Sequence, residues 1–458
     1  MKTIAFHNLG CKVNSYELDA MLQNTQKEGY QIVDFTQKAD IYIVNTCTVT
    51  NIADRKSRQM LHRAKQLNPE AIVVAVGCYV QNGLQNPETD PAVDLCVGNN
   101  RKKELFRIIN DFYNEKKIVD AVPDIASESE YEELSISETA EHTRAYIKIE
   151  DGCNQFCTYC AIPNARGRVR SRRQDSIIGE VKALADNGYK EVVLTGIHIS
   201  SYGLDFLGIK SSNYEDAAKA GLLLELIRNI AAIEGIERIR LGSLEPRIIT
   251  EDFVKGLSEI PQVCPHFHLS LQSGCDETLK RMNRHYSAQQ FLDGTNILRK
   301  YYERVAITTD VIVGFPGETE EEFEKSYDFI EKIRFYELHV FRYSRRKGTV
   351  ADTMKNQVPE EIKAKRSDAL LELDERMSDE YRQEYIGCEM ELLAEEIQEI
   401  DGIRYLVGHT KDYVLGAIPV SEFTSEKEAE ETAGKLVKGT ASRTLTKAVL
   451  VENVSVLR

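Results

Sequence analysis

The sequence predicts an α/β protein in three parts: a doubly wound N-terminal α/β domain, a central partial (β/α)6 barrel and a small antiparallel β-barrel at the C-terminus. Apolar runs alternate with helical segments over residues 1–115, a strand–loop–helix rhythm follows over residues 144–378, and only short apolar runs remain over residues 379–458. Residues 116–143 predict an acidic linker, since residues 120–143 hold eight acids and no lysine or arginine. A chain of 458 residues is expected to form roughly two to four domains.

The N-terminal part is predicted to be a parallel sheet covered by helices. Ile41–Val44 and Ala71–Val76 are continuous apolar runs of the kind that buried parallel strands show. A helical segment, Arg55–Gln66, lies between them and gives the β–α–β order of a doubly wound domain. We therefore expect the carboxyl ends of these strands to share one edge of a sheet.

Six strand-and-helix repeats are predicted in the central part. The candidate strands are 146–150, 191–195, 238–241, 266–271, 306–313 and 337–341. Helical segments lie between them, such as Ser176–Asn187 and Thr319–Ile333. Because six repeats are too few for a closed eight-stranded barrel, we expect an open partial barrel with its active site at the C-terminal strand ends. In the tail, Tyr405–Val407, Val414–Ile418 and Ala448–Val451 predict short antiparallel strands.

Charge and composition restrict the function classes. The formal charge of −15 argues against non-specific binding of polyanions by the whole surface, so a nucleic-acid partner would require a local basic patch. The N-terminus does not resemble a signal peptide, and no apolar run approaches the roughly 20 residues that span a bilayer. A cytoplasmic protein with no membrane partner is therefore expected. The ten cysteines are expected to bind metal or to be buried, because that compartment keeps thiols reduced.

The most specific motif is C-x₃-C-x₂-C, formed by Cys153, Cys157 and Cys160, which we call the barrel trio. It directly follows the first predicted barrel strand, where barrel enzymes carry their catalytic residues. A short loop with this spacing can direct three thiolates to one iron–sulfur cluster and leaves one iron open for another ligand. The alternative is a structural zinc site, but zinc normally takes a fourth protein ligand, and no Cys or His follows at short spacing. The motif therefore indicates a catalytic iron–sulfur site.

Three other cysteines, Cys11, Cys47 and Cys78, each stand at or just after the end of an apolar strand, and we call them the sheet trio. Strand ends of a parallel sheet share one edge, so these cysteines could converge on a second metal cluster. Three buried core cysteines are an equally open alternative. The remaining cysteines lie inside a strand or lack cluster spacing: Cys96, Cys264, Cys275 and Cys388.

Polar residues and glycines at the predicted strand ends are candidates for binding a cofactor or the substrate. These candidates are Thr195, Gly196, Glu245, Gln272, Asp310, Gly314 and Gly317. Gly314 and Gly317 would let the backbone approach a nucleoside closely. The alternatives are polar groups that satisfy their own hydrogen bonds and an ordinary strand-to-helix turn at the glycines.

Two arginine-rich segments are expected near the mouth of the barrel. The first follows the barrel trio, and the second follows the last predicted barrel strand. Their candidate RNA-binding residues are Arg166, Arg168, Arg170, Arg342, Arg345 and Arg346. In a chain of charge −15 we interpret them as phosphate contacts beside the active site, and the alternative is a solvated charged face.

In combination, these motifs resemble the radical S-adenosylmethionine methylthiotransferases over essentially the whole chain. The resemblance rests on C-x₃-C-x₂-C, on Gly314–Glu320, on Ser270–Gly274 and on the Gly-Cys, Asn-Thr-Cys-Thr and Gly-Cys settings of the sheet trio. It implies a radical-SAM barrel in the centre and a TRAM-like RNA-binding barrel at the C-terminus. The segment Leu9–Asn14, with lysine after the cysteine, looks like the branch that acts on threonylcarbamoyladenosine in tRNA. The branches that act on isopentenyladenosine and on a ribosomal protein usually carry Gln-Met and Pro-Lys there.

The resemblance also implies cofactors, a product and partners. The barrel trio would hold a 4Fe–4S cluster whose open iron binds S-adenosylmethionine, and the sheet trio would hold a second 4Fe–4S cluster that supplies sulfur. The product would be a methylthio group at carbon 2 of N6-threonylcarbamoyladenosine at position 37, next to the anticodon. The implied partners are the anticodon stem-loop of tRNA, an external electron donor and a sulfur or iron–sulfur assembly system. A non-enzymatic alternative is an iron–sulfur protein that binds RNA or acts as a sensor.

The tail departs from a simple RNA-binding domain. Residues 388–458 hold eight Lys and Arg against thirteen Asp and Glu. Any RNA contact there would depend on a local patch, for which Arg404, Lys411 and Arg443 are the candidates.

Overall fold

The computed structural model describes residues 2–84, 87–115, 121–139, 143–208 and 221–457. The strands, numbered β1 to β17 in chain order, are Thr3–Asn8, Gln31–Ile32, Ile41–Thr46, Ile72–Gly77, Leu95–Val97, Ala145–Asp151, Arg170–Ser171, Glu191–Gly196, Arg238–Leu241, His266–His268, Ala306–Val313, Glu337–Arg342, Glu389–Ile400, Ile403–His409, Leu415–Pro419, Leu436–Leu445 and Ala448–Val456. The α-helices described, numbered α1 to α13 here, are Lys12–Lys27, Asn51–Leu67, Cys78–Asn82, Leu105–Glu115, Ile162–Arg166, Gln174–Asp186, Leu222–Ala231, Glu251–Ser258, Asp276–Arg281, Ala288–Tyr301, Glu320–Ile333, Glu360–Gln383 and Glu426–Glu431. None of these described helices combines the length and the apolar content that crossing a membrane requires.

The first five strands form one parallel sheet in the order β2-β1-β3-β4-β5. Helix α2 covers the face that carries Tyr42 and Val44, and helices α1 and α4 cover the face that carries Ile41 and Ile43. Successive side chains of a strand point to opposite faces, so the continuous apolar run of β3 supplies both cores. The predicted doubly wound domain is confirmed, and its strand order places the topological switch point between β1 and β3.

Six parallel strands form an open, partial barrel in the central part of the chain. β6, β8 and β9 belong to one sheet and β10, β11 and β12 to another, and isolated bridges from Ile239 to Val263 and from Leu244 to Leu269 join the two. The predicted (β/α)6 partial barrel is therefore confirmed. The strand predicted over 266–271 ends earlier, at His268. Beyond it, Gln272 has a φ of 67°, which is not a strand conformation.

The last five strands close into a barrel in the order β13-β14-β15-β17-β16. Neighbouring strands are antiparallel except β15 and β17, which pair in parallel, so the predicted antiparallel barrel is confirmed with this one exception. This barrel packs on the base of the central one. Arg238 and Arg240 of β9 donate hydrogen bonds to the carbonyl oxygens of His409 and Lys411, each at 2.8 Å.

The acidic segment between the first two domains packs against both of them. Leu134 and Ile136 are buried, and Tyr16 of α1 donates to the carbonyl oxygen of Leu134 at 2.7 Å. The carboxylate of Glu132 is buried as well and accepts a hydrogen bond from the backbone of Lys103 at 2.7 Å. Residues 121–139 thus contribute to the interface, whereas the ends of the predicted linker, 116–120 and 140–142, lie outside the described residues.

Capping residues set several helix starts. Thr319 and Glu322 form a capping box at the start of α11, with both hydrogen bonds at 3.2 Å, and Thr50 caps α2 through the backbone of Ala53 at 3.1 Å. At the start of α1 the capping position is Cys11, whose side chain makes no capping hydrogen bond. The positive end of the α1 dipole therefore lies beside the Cys11 thiol, but desolvation raises the pKa of this thiol above its ordinary value.

Candidate functional site

The barrel trio lies on the loop that follows β6. Gly152 turns the chain out of the strand with a φ of 82°, and a Cβ at this position would lie 1.9 Å from the carbonyl oxygen of Arg168. The loop is closed by a hydrogen bond from the backbone of Cys160 to the carbonyl oxygen of Cys157 at 3.0 Å. Burial raises the pKa of Cys153, and the neighbouring thiols Cys157 and Cys160 raise it further. The loop thus gathers three thiols at the C-terminal end of the first barrel strand.

Two donors point at sulfur atoms of the barrel trio. Arg284 Nη1 donates to Cys157 Sγ at 3.3 Å, and the backbone of Ile162 donates to Cys160 Sγ at 3.4 Å. Burial, followed by the charge of Cys157, raises the pKa of Cys160 to about 12, so the free thiol is protonated and metal binding must displace the proton. The Arg284 guanidinium offsets the negative charge that three thiolates would bring.

The sheet trio is gathered by the parallel sheet. Cys11 follows β1, Cys47 follows β3, and Cys78 begins α3 directly after β4. A Cβ placed on Gly10 would lie 3.2 Å from Cys47 Cβ, so the Cys11 loop touches the Cys47 loop. Burial raises the pKa of Cys47 to about 11, and the charges of Cys78 and Cys11 contribute to that shift. The three thiols therefore converge at the carboxyl edge of the sheet, beside its switch point.

Helix α5 connects the two trios. It begins at Ile162, two residues after Cys160, and it ends at Arg166. Arg166 Nε donates to Cys78 Sγ at 3.1 Å, and Asn99 Nδ2 donates to the same sulfur at 3.5 Å. One short helix thus runs from the loop of the first site to a ligand candidate of the second.

A buried ion network surrounds this connection. Glu17 of α1 accepts hydrogen bonds from both terminal nitrogens of Arg166. Glu17 also pairs with Lys102 at 3.1 Å and with Lys148 at 2.9 Å, and Lys148 pairs with Asp151 at 2.7 Å. Burial alone would raise the pKa of both carboxyls, but the surrounding cations hold the pKa of Glu17 and of Asp151 well below the usual range. Both carboxyls are therefore ionised at neutral pH.

The network carries more positive than negative charge. Its members are the cations Lys102, Lys148, Arg166 and Arg170 and the carboxylates Glu17 and Asp151. Two buried nitrogens of Arg170, Nε and Nη2, have no hydrogen-bond partner. A cluster ligated by three thiolates is anionic, so excess positive charge and buried donors between the trios fit such groups.

The thiols of neither trio lie close enough together to surround a single ion. Within the described part of the chain, the one group whose metal-ligating atoms all lie within 4.8 Å of one another is His268, Asp310 and His339. Neither trio forms such a compact group. A 4Fe–4S cluster is wider than one ion, and its cysteine ligands stand correspondingly farther apart.

Three of the strand-end candidates line one cavity inside the barrel. Thr195, Gly196 and Asp310 belong to its wall, and its volume is about 540 Å³. Cys11 of the sheet trio lines the same cavity, as does Tyr413 of the C-terminal barrel. The structure thus brings residues of all three domains to one space at the barrel interior.

Two further candidates, Glu245 and Gln272, occupy the barrel rim. The Glu245 carboxylate accepts from Arg247 Nε at 2.8 Å, and the backbone of Gln272 donates to the carbonyl oxygen of Asp310 at 2.8 Å. Glu245 is close enough to Arg284 to contribute to its raised pKa. Their contact with a cofactor stays a prediction.

Gly314 and Gly317 are required by the turn that they form. Gly314 has a φ of 70°, and a Cβ there would lie 2.3 Å from the Lys363 side chain. The backbone of Gly317, whose φ is 81°, donates to the carbonyl oxygen of Asn356 at 2.9 Å. These contacts account for both glycines without a nucleoside, and their approach to a cofactor stays a prediction.

Three of the six candidate RNA-binding arginines are buried, which corrects their interpretation as phosphate contacts. Arg166 and Arg170 belong to the ion network between the trios. Arg346 donates to Thr48 at 2.7 Å and to Asp54 at 2.8 Å, and so ties the central domain to the N-terminal one. The arginines that keep exposed side chains are Arg168, Arg342 and Arg345.

The three residues proposed as a basic patch of the tail have different surroundings in the structure. Lys411 Nζ donates to the carbonyl oxygen of Pro261 at 3.1 Å, which directs it to the central domain. Arg404 forms an ion pair with Glu426 at 2.5 Å, while Arg443 is exposed. These three residues therefore do not act as one free basic surface.

Three residues were not predicted from the sequence to line the cavity. Lys12 lines the cavity directly after Cys11 and is exposed, while desolvation lowers its pKa to about 8. His268 and His339 lie on β10 and β12, and their rings stack at 5.5 Å. The signals that could have found them are a lysine beside a ligand candidate and histidines inside otherwise apolar predicted strands.

Comparison with known proteins places the chain in a family. Residues 147–330 match the Radical SAM superfamily, and residues 3–98 match a family described as uncharacterized protein family UPF0004. The threonylcarbamoyladenosine tRNA methylthiotransferase MtaB of Bacillus subtilis (strain 168) is 41% identical over 96% of this chain and 93% of its own. The chain belongs to the radical S-adenosylmethionine methylthiotransferase family. The resemblance seen in the motifs is thereby confirmed.

Other relatives of this methylthiotransferase agree with that assignment. MtaB of Aquifex aeolicus (strain VF5) is 40% identical over 85% of this chain and 92% of its own. A tRNA-2-methylthio-N(6)-dimethylallyladenosine synthase of Methylacidiphilum infernorum (isolate V4) is 34% identical over 92% of this chain and 90% of its own. The solved structure of the radical S-adenosylmethionine methyltransferase TsrM from Kitasatospora setae, with cobalamin and a 4Fe–4S cluster bound, shares the fold with a TM-score of 0.55 and 14% identity, covering 94% of this chain and 85% of that chain.

Proposed function

We propose that this chain is a tRNA methylthiotransferase that places a methylthio group at carbon 2 of N6-threonylcarbamoyladenosine at position 37, next to the anticodon. The observation that carries the proposal is the meeting of the two trios: α5 joins them, and Cys11 of the sheet trio lines the cavity inside the barrel. The relatives named for this reaction are more similar to the chain than the named dimethylallyladenosine synthase, which supports the substrate.

The barrel trio would hold one 4Fe–4S cluster and the sheet trio a second, with S-adenosylmethionine as the remaining cofactor. When bound, these groups supply one-electron cleavage of S-adenosylmethionine, sulfur and, from a second S-adenosylmethionine, the methyl group. Such chemistry is required because the hydrogen on carbon 2 of adenine is aromatic and barely acidic, so a side-chain base could not usefully remove it. An external electron donor and a system that renews the sulfur are therefore the partners that we propose besides tRNA.

The rim beside the barrel trio suits the methionine part of S-adenosylmethionine. Arg247 and Arg284 provide positive charge there, and the Glu245 carboxylate provides negative charge. A free amino acid group carries both an ammonium and a carboxylate, so a rim of mixed charge can bind both ends. Thr195, Gly196, Gln272, Asp310 and the Gly314–Gly317 turn stay proposed as further contacts to the cofactor or the substrate base.

RNA contacts are proposed at the exposed arginines around the barrel mouth. Arg168 stacks its guanidinium over the exposed ring of Phe156, 4.4 Å from the centroid, on the loop of the barrel trio. Arg342 and Arg345 follow the last barrel strand and are exposed as well. Exposed cations and an aromatic ring are the usual means of holding phosphates and stacking an unpaired base.

We propose the domain limits 1–115, 116–143, 144–378 and 379–458 and a cytoplasmic site of action.

A tRNA digest from a deletion strain tests the proposed function. The methylthio derivative of threonylcarbamoyladenosine should disappear on deletion and return with the wild-type gene. Cys96→Ala, which changes a buried cysteine outside both trios, should also restore it, whereas Cys153→Ala should not. A deletion that leaves this nucleoside intact in bulk tRNA would contradict the substrate.

The same strains separate the alternatives. Loss of the methylthio derivative of isopentenyladenosine, or of the modified ribosomal protein, would move the chain to another branch of the family. Formation of 5′-deoxyadenosine from S-adenosylmethionine by the reduced, purified protein would exclude a non-enzymatic RNA-binding or sensing role.

A further inference from the structure

The cavity inside the barrel contains an ammonium group that forms no ion pair with a described residue. Among the lining residues that the structure describes, Lys12 is the one lysine or arginine. Its ammonium makes no hydrogen bond and no ion pair with a described residue. A volume of about 540 Å³ is in the range of small-molecule sites, and it is ample for a modified base.

Two of the three carboxyl groups around the cavity lie beside other side chains. Asp310 lies 3.4 Å from His268 Nε2, and Glu191 below the cavity is held by Arg240 at 2.7 Å. Glu337 lines the wall but forms no ion pair with Lys12. Lys12 is exposed and unpaired among the described residues, so its ammonium is available to an anionic group of a ligand.

The cavity wall also offers hydrogen-bonding groups. The Thr308 hydroxyl lies 3.1 Å from His266 Nε2 and 3.0 Å from His268 Nδ1. His266 is 5% exposed and lines the cavity, and its Nδ1 has no hydrogen-bond partner among the described residues. Within the part of the chain that the structure describes, the cavity thus combines one unpaired ammonium with one unsatisfied imidazole nitrogen, and it adjoins Cys11.

We propose that Lys12 binds the carboxylate of the threonylcarbamoyl group and thereby makes this enzyme select threonylcarbamoyladenosine. This inference rests on the proposed function. Carbon 2 and the N6 substituent flank N1 on one edge of adenine, so a residue adjoining the sulfur-supplying trio is placed to contact that substituent. An isopentenyl group carries no charge and no hydroxyl, and it would leave the ammonium and the histidine wall without partners, which is the strongest form of substrate rejection.

Binding of a fluorescent anticodon stem-loop to the reconstituted full-length protein tests the proposal. Two stem-loops are compared, one with the threonylcarbamoyl carboxylate and one in which that carboxylate is converted to the uncharged amide. The wild type should bind the carboxylate form roughly 10- to 100-fold more tightly, as one charge-assisted hydrogen bond allows. Lys12→Met should reduce this ratio to near one, because only the carboxylate contact is removed, whereas Lys12→Arg should keep most of it.

Controls separate recognition from damage to the site. Lys38→Met changes an exposed lysine of the same domain and should leave the ratio unchanged. Lys12→Met and the wild type are compared at equal iron content, so that loss of a cluster is not mistaken for loss of recognition. If Lys12→Met does not fold, the affinities of the wild type for the two stem-loops still test the proposal. Equal binding of the carboxylate and amide forms would overturn it.

The two proposals fail in different ways. A wild type that makes the methylthio product on threonylcarbamoyl stem-loops, with a Lys12→Met variant that keeps the full carboxylate preference, would overturn the role of Lys12 alone. A preference that disappears on chelation of divalent ions and returns with zinc would also overturn it, in favour of a metal at His268, Asp310 and His339. A wild type that makes no product on these stem-loops would overturn the proposed function itself.

Discussion

The two cysteine trios are built in opposite ways. The barrel trio occupies eight consecutive residues, Cys153–Cys160, on one loop, whereas the sheet trio is collected from the ends of three strands, β1, β3 and β4. The first needs only a local turn and the strand before it. The second exists only when the N-terminal sheet is folded, and in the folded protein Arg166 of the central domain also contacts Cys78. The comparison teaches that one site is encoded locally and the other by tertiary structure.

The largest effect is expected from the barrel trio. Cys153→Ala removes one of three ligands on a single loop, and 5′-deoxyadenosine formation should fall to background, with methylthio transfer lost as well. The iron of the sheet trio should remain, because the strand ends that hold it are unchanged. Product analysis by liquid chromatography, together with iron counting, checks both statements. Retained cofactor cleavage in this variant would mean that the cluster lies elsewhere.

The sheet trio should separate cleavage from product formation. Cys47→Ala should abolish methylthio product while 5′-deoxyadenosine formation stays within about twofold, because changes at separate sites are largely independent. The matched control is Cys96→Ala, a buried cysteine of β5 in the same sheet, which should keep both activities. Full product from Cys47→Ala would show that the sulfur comes from another source.

Breaking the buried ion network between the trios should lower the free energy of unfolding. Arg166→Met leaves Glu17 buried without its bidentate partner and should lower the free energy of unfolding by about 3–5 kcal/mol. Arg173→Met, at a side chain that is 77% exposed, should change it by less than about 0.5 kcal/mol. Denaturant unfolding checks both. Equal midpoints for the two variants would contradict a structural role for the network.

The smallest effects are expected at the surface. Arg342→Ala and Arg345→Ala should each weaken tRNA binding modestly and reduce the slope of log affinity against log salt by about one. The buried neighbour Arg346 provides the contrast, since Arg346→Ala removes bonds to Thr48 and Asp54 and should lower stability instead. Fluorescence titrations at several salt concentrations measure the slope, and an unchanged slope in both exposed variants would remove these arginines from the RNA interface.

The sequence was sufficient wherever a pattern is local. Apolar runs and turns predicted the three domains, and the spacing of the barrel trio predicted a cluster loop after β6. The convergence of the sheet trio followed from the rule that parallel strand ends share an edge, although spacing alone could not separate it from three core cysteines.

The arginine-rich segment after the barrel trio shows what the sequence could not predict. Arg166 looks like a surface charge beside a basic segment, but its carboxylate partner Glu17 lies 149 residues away. Burial of that kind depends on how domains dock, and no local pattern reports it. The cavity was missed for the same reason, because its wall combines Lys12, His339 and Tyr413 from three domains.

Counting iron and acid-labile sulfide in anaerobically reconstituted protein tests the central claim most directly. Two triple alanine variants accompany the parent, one for Cys153, Cys157 and Cys160 and one for Cys11, Cys47 and Cys78. Two separate clusters predict about eight irons per chain in the parent and about four in each variant. About four irons in the parent and none in the barrel-trio variant would contradict the account, because the sheet trio would then be three core cysteines beside a single radical site.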